Sequence, residues 1–278
     1  SLFGSRALTG KLDPAYLQNA GGESGPFRAA LFRAGIRPTD VFRAQREADS
    51  LYGYLEVHIE QGRELDQTGI DIGVVTSVVG RTTYHITFYG EASHSGTTAM
   101  VDRRDALLGA ARYIDAAYKL VADEFPGGVF NCGNMQVLPG SFNVIPSEAK
   151  LTVECRHDDP ENMGQMEAAL IRLAQDHAIT HGLTVSVSRY AHMPAAKLDE
   201  GIIAAVEAAC GHIGASHKRM VSYAGHDAQM LGGFTRAGMI FVPSVEGVSH
   251  SPREYTAWDD VVKGANTLLH TILLLAQE

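Results

Sequence analysis

The sequence predicts a mixed α/β protein that is interrupted by a smaller α+β domain. Residues 81–192 follow the order strand–helix–strand–strand–helix–strand, which is typical of a split βαβ unit with a four-stranded antiparallel sheet. The flanking segments instead combine helices with short apolar strands, a pattern typical of parallel sheets. We therefore predict one domain over residues 1–79 that continues at 195–278, with a second domain inserted at 80–194.

Composition narrows the class of protein. The 278 residues are 45% hydrophobic and 20% charged, which is ordinary for a globular protein with a sizeable core. The net charge of −9, without any block of Lys or Arg, argues against nucleic acid or an anionic membrane as a partner. The longest apolar run near the C-terminus, Ile272–Ala276, is too short to span a bilayer.

The cysteine pattern bears on compartment and on metal ligands. Cys132, Cys155 and Cys210 are widely spaced and form no Cys-x-x-Cys pair, so we expect neither disulfides nor a cysteine zinc site. This pattern fits a reducing cytoplasm. Any metal ion would then be held by carboxylates and by some of the 12 histidines.

The first flanking segment predicts short helices followed by strands. One helix is expected to begin at Pro14, and another at Gly25-Pro26, before Gly35 ends it. Residues 54–61 alternate between apolar and polar side chains, as a half-buried strand does. The apolar run at 72–79 predicts a buried strand.

The inserted domain shows the clearest periodicity. Tyr84, Ile86 and Phe88 share one face of a strand predicted at 81–90. An apolar stripe with helical spacing predicts a helix over 102–124. Further elements are strands at 129–137 and 148–156, a helix from Pro160 to about His181 and a strand at 183–190.

The second flanking segment returns to helices and short buried strands. Ile202, Ile203 and Val206 belong to the apolar stripe of one helix. Residues 239–243 predict a short buried strand, and 259–276 predict the last helix.

The strand at 54–61 carries the first candidate site. Glu56, His58 and Glu60 share one face, and Gln61-Gly62 ends the strand. Two carboxylates that flank an imidazole could form part of a metal or catalytic site. Taken alone, the stretch is more simply explained as a solvated strand face.

Three further stretches place histidine among small polar residues in predicted loops, which is where α/β proteins bind ligands. His94 lies in residues 92–98, Gly225 and His226 in 222–228, and His250 in 249–254. Singly, each histidine is more simply explained as a surface residue or a helix cap. A site using both His58 and His250 would connect the two flanking segments.

Arg156 and Asn143 also allow two interpretations each. Arg156, at the end of a strand, could form a salt bridge with a neighbouring acid, or it could bind a substrate carboxylate through its two-pronged guanidinium. Asn143 could be a turn residue, or its amide could donate to a substrate oxygen.

Together these stretches resemble the hydantoinase/carbamoylase family of binuclear metal amidohydrolases, which shares its fold with zinc aminoacylases and dipeptidases. The resemblance covers essentially the whole chain. The motifs that carry it are Glu56-Val57-His58-Ile59-Glu60-Gln61-Gly62, His94-Ser95-Gly96-Thr97-Thr98-Ala99-Met100, Arg103-Arg104-Asp105-Ala106, Asn143-Val144-Ile145-Pro146, Cys155-Arg156-His157, Ala224-Gly225-His226-Asp227-Ala228 and Ser249-His250-Ser251-Pro252-Arg253-Glu254.

The resemblance implies a fold and a reaction. The flanking segments would form a metallopeptidase-like catalytic domain, and 80–194 would be a dimerisation or lid domain of a homodimer. The enzyme would cleave the carbamoyl or ureido amide C–N bond of an N-carbamoyl-L-amino acid or an allantoate-like acid. Two divalent metal ions, zinc or manganese, would hold a bridging hydroxide that attacks this bond.

The resemblance also implies residue roles. His58 and His250 would each bind one of the two metal ions. The catalytic contacts would be His94, Asn143 and His226, and the substrate contacts would be Gln61, Arg156 and Gly225. Some contacts from the inserted domain would reach the substrate of the neighbouring subunit.

The chain departs from the family's pattern in one important respect. In the family, a His-x-Asp ligand motif, a bridging Asp and a Glu-Glu pair of base and ligand precede the region that this chain matches. This sequence contains no Glu-Glu dipeptide and no His-x-Asp motif in that context. We therefore expect that the chain lacks the family's N-terminal segment and is inactive alone. Two alternatives stay open: a non-catalytic dimerisation or binding fragment, and an aminoacylase- or dipeptidase-like hydrolase.

Overall fold

The structure, a computed structural model, describes residues 2–14 and 25–277, which form two compact units. The five-stranded unit comprises the described residues of Ser1–Val78 and Ala196–Glu278. The four-stranded unit is Val79–Ala195. The short helix predicted to begin at Pro14 falls on residues 15–24, outside the described part of the chain.

The two units are built from the following strands and helices. The strands are β1 (Tyr54–Ile59), β2 (Ile72–Val78), β3 (Gly80–Tyr89), β4 (Val129–Leu138), β5 (Glu148–His157), β6 (Thr184–Met193), β7 (Ala196–Lys197), β8 (His217–Ser222) and β9 (Ala237–Val242). The helices are α1 (Phe3–Leu8), α2 (Gly25–Arg33), α3 (Glu64–Thr68), α4 (Ala106–Glu124), α5 (Pro160–Thr180), α6 (Glu200–Ile213), α7 (Asp227–Leu231) and α8 (Trp258–Leu275). No helix in the described ranges is both long and apolar enough to cross a membrane.

The sheet of the five-stranded unit is mixed. Its order is β1-β9-β2-β7, with β8 also paired to β2. β1 runs parallel to β9 at the edge of the sheet, and β9 runs antiparallel to β2. Every residue of β9 is buried, as its apolar sequence predicts, and α6 and α8 pack against this strand.

The four-stranded unit confirms the predicted split βαβ order. Its antiparallel sheet has the order β4-β5-β3-β6, and α4 and α5 pack against the sheet. Tyr84, Ile86 and Phe88 are buried beneath the helices, as their alternation predicts. The same core contains the helix residues Tyr113 and Met166.

Two details differ from the sequence-based expectation. The helix predicted from residue 102 begins at Ala106, because the Asp105 side chain accepts a hydrogen bond from the backbone N–H of Leu108 at 3.0 Å and so caps the helix. In β1 all six residues are half-buried, although alternation predicts one exposed face. The polar face of β1 is covered because α7 packs against this strand.

Candidate metal and substrate site

The carboxyl ends of β1 and β9 bring two predicted site segments together. The strands are parallel, with His58 opposite Phe241 and Ile59 opposite Val242, so the chain leaves both strands at the same edge of the sheet. Gln61, just after β1, donates from its side-chain Nε2 to Ser249 Oγ at 2.8 Å. The structure thus places Gln61 beside the loop that carries His250.

His226 and α7 cover the polar face of β1. The backbone N–H of Ala228 donates to Glu56 Oε2 at 2.8 Å, and the rings of His226 and His58 lie 4.5 Å apart in an edge-to-face arrangement. His226 occupies the N-cap position of α7, but its side chain makes no capping hydrogen bond. Its imidazole is therefore available to the site rather than used by the helix.

Glu56, His58 and His226 form a cluster that could hold a metal ion. One ligand atom from each residue lies within 4.8 Å of the other two. The Nδ1–H of His58 donates to the carbonyl oxygen of Ile59 at 2.8 Å, so in the neutral ring the lone pair lies on Nε2. Two imidazoles and a carboxylate suit zinc or manganese.

The buried imidazole of His226 gives the clearest indication that this cluster binds a ligand. Its side chain is buried, and its Nε2 has no hydrogen-bond partner among the described residues, whereas Nδ1 lies 3.7 Å from Glu56 Oε1. A buried nitrogen without a partner is costly, so a metal ion or a substrate atom at Nε2 would satisfy it. The residues present therefore fit a bound metal ion.

The electrostatics of the cluster keep His226 neutral. Burial, and then the charge of His58, lower the pKa of His226 to about 4. Burial raises the pKa of Glu56, although the bond from Ala228 N–H opposes that rise. At neutral pH the His226 ring can therefore offer a lone pair to an electrophilic partner.

The loop after β9 holds His250 in an unusual backbone conformation. His250 has φ +55° and Gln61 has φ +59°, both in the left-handed region that non-glycine residues seldom adopt. Glu254 accepts hydrogen bonds from Ser249 Oγ at 2.7 Å and from the backbone N–H of His250 at 3.0 Å. These two bonds, in that order, hold the pKa of Glu254 below its ordinary value.

His94 and Asn143 lie on adjacent loops at one end of the four-stranded unit. His94 pairs with Val144 in an isolated β-bridge, and the backbone N–H of Ser95 donates to the carbonyl oxygen of Asn143 at 3.0 Å. The backbone N–H of Gly96 donates to His94 Nδ1 at 3.1 Å. A neutral His94 therefore carries its proton on Nε2, where it can serve as a hydrogen-bond donor.

Arg156 lies at the opposite end of the same unit. It lies eight positions along β5 from Glu148, the residue paired with the end of β3 that leads to His94. At the rise of a β-strand this is about 27 Å. Arg156 Nε donates to Glu154 Oε1 at 2.7 Å, so the structure contains the salt bridge that was one of the two interpretations of this residue.

The resemblance assigned no role to two glutamates near these sites. Glu56 shares a face of β1 with His58, and that alternation had made it a candidate for a metal or catalytic site. Both oxygens of Glu60 accept backbone N–H groups of α3, from Glu64 and Leu65 at 2.9 Å each, so Glu60 caps a helix. Gly225, a predicted substrate contact, is exposed immediately before His226, where it offers backbone groups.

Comparison with known proteins shows the family to which the chain belongs. The sequence profile of the peptidase family M20/M25/M40 matches residues 4–274. An N-carbamoyl-L-amino-acid amidohydrolase of Paenarthrobacter aurescens is 32% identical over 99% of this chain and 67% of its own length. An allantoate amidohydrolase of Bacillus subtilis (strain 168) is 34% identical over 99% of this chain and 66% of its own length.

A solved structure gives the same result. The crystal structure of an amidase of the hydantoinase/carbamoylase family from Burkholderia multivorans superimposes with a TM-score of 0.87 and 34% identity. The match covers 100% of this chain and 67% of that one. This chain therefore spans about two thirds of the length of the relatives that it matches.

Proposed function

The chain belongs to the peptidase family M20/M25/M40, among the hydantoinase/carbamoylase amidohydrolases, and from this premise we propose that it hydrolyses a ureido or carbamoyl amide. The substrate would be an N-carbamoyl-L-amino acid or an allantoate-like acid. The observation that carries the proposal is the cluster of Glu56, His58 and His226, in which the buried Nε2 of His226 has no hydrogen-bond partner in residues 2–14 and 25–277. Relatives that align with nearly the whole of this chain are amidohydrolases of such acids.

The reaction would depend on two divalent metal ions, zinc or manganese. When bound, such ions lower the pKa of water and polarise a carbonyl oxygen. His58 would bind one ion through Nε2, since Nδ1 is held by Ile59. Glu56 and His226 lie close enough to complete that side of the site. His250 would bind the second ion.

The remaining residues would bind and orient the substrate. In the five-stranded unit, Gln61 would contribute its amide, whose Nε2 lies against Ser249, and Gly225, next to His226 in the chain, would contribute backbone groups. The Nε2–H of His94 and the amide of Asn143 would donate to the oxygen on which negative charge develops, where one donor is typically worth about 3 kcal/mol of barrier. Arg156 would bind the substrate carboxylate, in exchange for part of its pairing with Glu154.

We also propose a homodimer in which the four-stranded unit acts as a dimerisation or lid domain. The support is the distance of about 27 Å along β5 between Arg156 and the end that carries His94. A small ureido acid cannot span it, so one copy of this unit cannot supply both groups to one substrate. Two subunits related by a twofold axis could do so, each giving a different end of the unit.

The metal site needs more ligands than the cluster provides, and we propose that residues outside this chain supply them. The support is that the 278 residues contain no Glu-Glu pair of the kind that provides base and ligand in the family. If the 278-residue chain, loaded with metal, hydrolysed N-carbamoyl amino acids by itself, this proposal would be wrong. The mass of the natural polypeptide gives a second test.

A substrate panel tests the proposed reaction. The natural polypeptide that carries this chain would be assayed with N-carbamoyl-L-amino acids, allantoate, N-acetyl amino acids and dipeptides, with ammonia as the readout. We expect ammonia release from carbamoyl or ureido acids, loss of activity after chelation, and recovery with zinc or manganese. Turnover of N-acetyl amino acids or dipeptides alone would favour the aminoacylase- or dipeptidase-like alternative.

A further inference from the structure

One carboxylate connects two of the predicted site residues in the five-stranded unit. Glu254 accepts hydrogen bonds from the backbone N–H of His250 at 3.0 Å and from Ser249 Oγ at 2.7 Å. Ser249 Oγ in turn accepts from Gln61 Nε2 at 2.8 Å. The carboxylate thus contacts the backbone of His250 directly and the side chain of Gln61 through one hydroxyl.

The two residues that Glu254 connects share an unfavourable backbone conformation. His250 and Gln61 have φ +55° and +59°, and neither is glycine. Such conformations persist only where surrounding contacts determine them, and they cluster at functional sites. The Gln61 backbone has a second fixed contact, from its N–H to Ser244 Oγ at 3.0 Å, and Ser244 is fully buried. The backbone N–H of His250 is held by Glu254.

We propose that Glu254 is a positioning residue that fixes His250 for metal binding and, through Ser249, fixes Gln61 for substrate binding. This inference rests on the proposed function of the two residues. Glu254 is not placed at the metal or the substrate itself. Hydrogen bonds to an ionised carboxylate are roughly twice as strong as neutral ones, so this residue type suits a strained backbone.

The connectivity separates the two effects of Glu254. Removal of the Ser249 hydroxyl breaks the link to Gln61 but leaves the bond from His250 N–H to Glu254. Removal of the Glu254 carboxylate breaks both links. A merely structural role would instead lower stability without separating metal binding from substrate binding.

The test compares Glu254→Ala, Glu254→Gln and Ser249→Ala in the natural polypeptide that carries this chain. Zinc affinity is measured by competition with a chromophoric chelator, and KM and kcat are measured on the best ureido or carbamoyl acid. Thermal unfolding monitors the fold. Glu47→Ala is the matched control, since Glu47 is an exposed glutamate of the same unit.

We expect Glu254→Ala to weaken zinc binding by roughly 10- to 100-fold, the usual effect of removing a group that orients a metal ligand. Glu254→Gln should fall between wild type and Glu254→Ala, because the amide oxygen can still accept one hydrogen bond without the charge. Ser249→Ala should raise KM while zinc affinity stays at the wild-type value. Glu47→Ala should match wild type in all three measurements.

Wild-type zinc affinity and KM in Glu254→Ala would overturn the proposal. So would a KM and a zinc affinity in Ser249→Ala that are both unchanged. If Glu254→Ala does not fold, Glu254→Gln and Ser249→Ala decide the matter by the same criteria. If the wild type hydrolyses no ureido acid and yet Glu254→Ala loses zinc, the proposed substrate is wrong and the positioning of His250 stands.

Discussion

At the scale of single residues, two neighbouring imidazoles differ in what holds them. His58 has its Nδ1–H bound to a backbone carbonyl, whereas His226 is buried beside Glu56 and its Nε2 has no hydrogen-bond partner within the described part of the chain. The neutral His58 ring therefore has its lone pair on Nε2, and a metal ion would satisfy the Nε2 of His226. The same chemistry that makes them good metal ligands makes their substitutions informative.

We expect His58→Ala to lower zinc affinity by roughly tenfold or more, because it removes an imidazole from the cluster. The measurement is metal content after dialysis, together with chelator competition. The control is His217→Ala, a change at an exposed histidine of the same unit. Equal losses in both variants would show that zinc binds to histidines without selection and would remove His58 from the site.

The lowered pKa of His226 predicts a pH-dependent stability in the metal-free protein. Its pKa is about 4 when folded and 6.5 in the unfolded reference, so between these values the unfolded state binds more protons. The free energy of unfolding should therefore be fully retained above pH 6.5 and should fall as pH drops toward 4. The contribution of this residue is on the order of 3 kcal/mol.

Urea unfolding at pH 7 and at about pH 4.5 tests this prediction in wild type and His226→Gln. The wild type should lose more stability on acidification than the variant, since glutamine does not titrate. Identical pH dependence in the two proteins would contradict the assigned pKa. The difference in pH dependence between the two proteins separates the contribution of His226 from that of the carboxylates and the other histidines.

At the scale of elements, β1 is an edge strand that carries more function than its length suggests. Its polar residues divide between tasks: Glu56 and His58 face α7 and His226, whereas Glu60, just beyond the strand, caps α3. Two glutamates at equivalent positions of one motif thus have different roles. Only the contacts of each carboxylate distinguish them.

We expect Glu60→Ala to lower the free energy of unfolding by about 1 kcal/mol, the usual cost of losing a helix cap, and to leave zinc affinity unchanged. Glu60→Gln should cost less, because its side-chain oxygen still accepts a hydrogen bond. Urea unfolding and chelator competition give the two readouts, with Glu47→Ala as the control. A stable Glu60→Ala that loses zinc would make Glu60 a ligand instead of a cap.

At the scale of the whole molecule, the four-stranded unit separates its candidate substrate groups. His94 and Asn143 share one end, and Arg156 lies at the other, about 27 Å away along β5. The proposed homodimer would therefore form each site from both subunits. This arrangement makes a quantitative prediction about mixed dimers.

We expect His94→Ala and Arg156→Ala to be inactive separately but to recover activity when unfolded together and refolded. In the mixed dimer one site contains both changes and the other contains neither, so random mixing restores about a quarter of the wild-type rate. The matched control mixes His94→Ala with Asn143→Ala. These residues share one end of the unit, so every site keeps one defect and no recovery is expected.

Recovery in the control mixture, or none in the first mixture, would contradict the proposed sharing between subunits. The first result would place His94 and Asn143 in different sites. The absence of recovery in the first mixture would mean that His94 and Arg156 of one site come from the same subunit, or that the two variants do not form mixed dimers. Affinity capture of one variant, tagged, from the refolded mixture distinguishes these last two cases, because a mixed dimer brings the untagged variant with it.

Much of the fold was predictable because local periodicity is set within a few residues. Alternation at 81–90 and the helical stripe of α4 directly specify which faces are buried, and both predictions are confirmed. Asp105 and Asp159 cap their helices by accepting hydrogen bonds from residues only three positions further along the chain. The motifs around His58, His226 and His250 likewise indicated the family before any distance was known.

Tertiary structure decided the chemistry of the site, because its contacts join residues that the sequence keeps far apart. Glu56 accepts a hydrogen bond at the start of α7 from a residue 172 positions away in the sequence. Gln61 donates one to Ser249, which is 188 positions away. The register of β5 places Arg156 at one end of the four-stranded unit and His94 at the other, and no local sequence pattern specifies this separation. The sequence by itself determined the elements and the family, whereas the pairing of strands and the packing of α7 on β1 determined which side chains can act together.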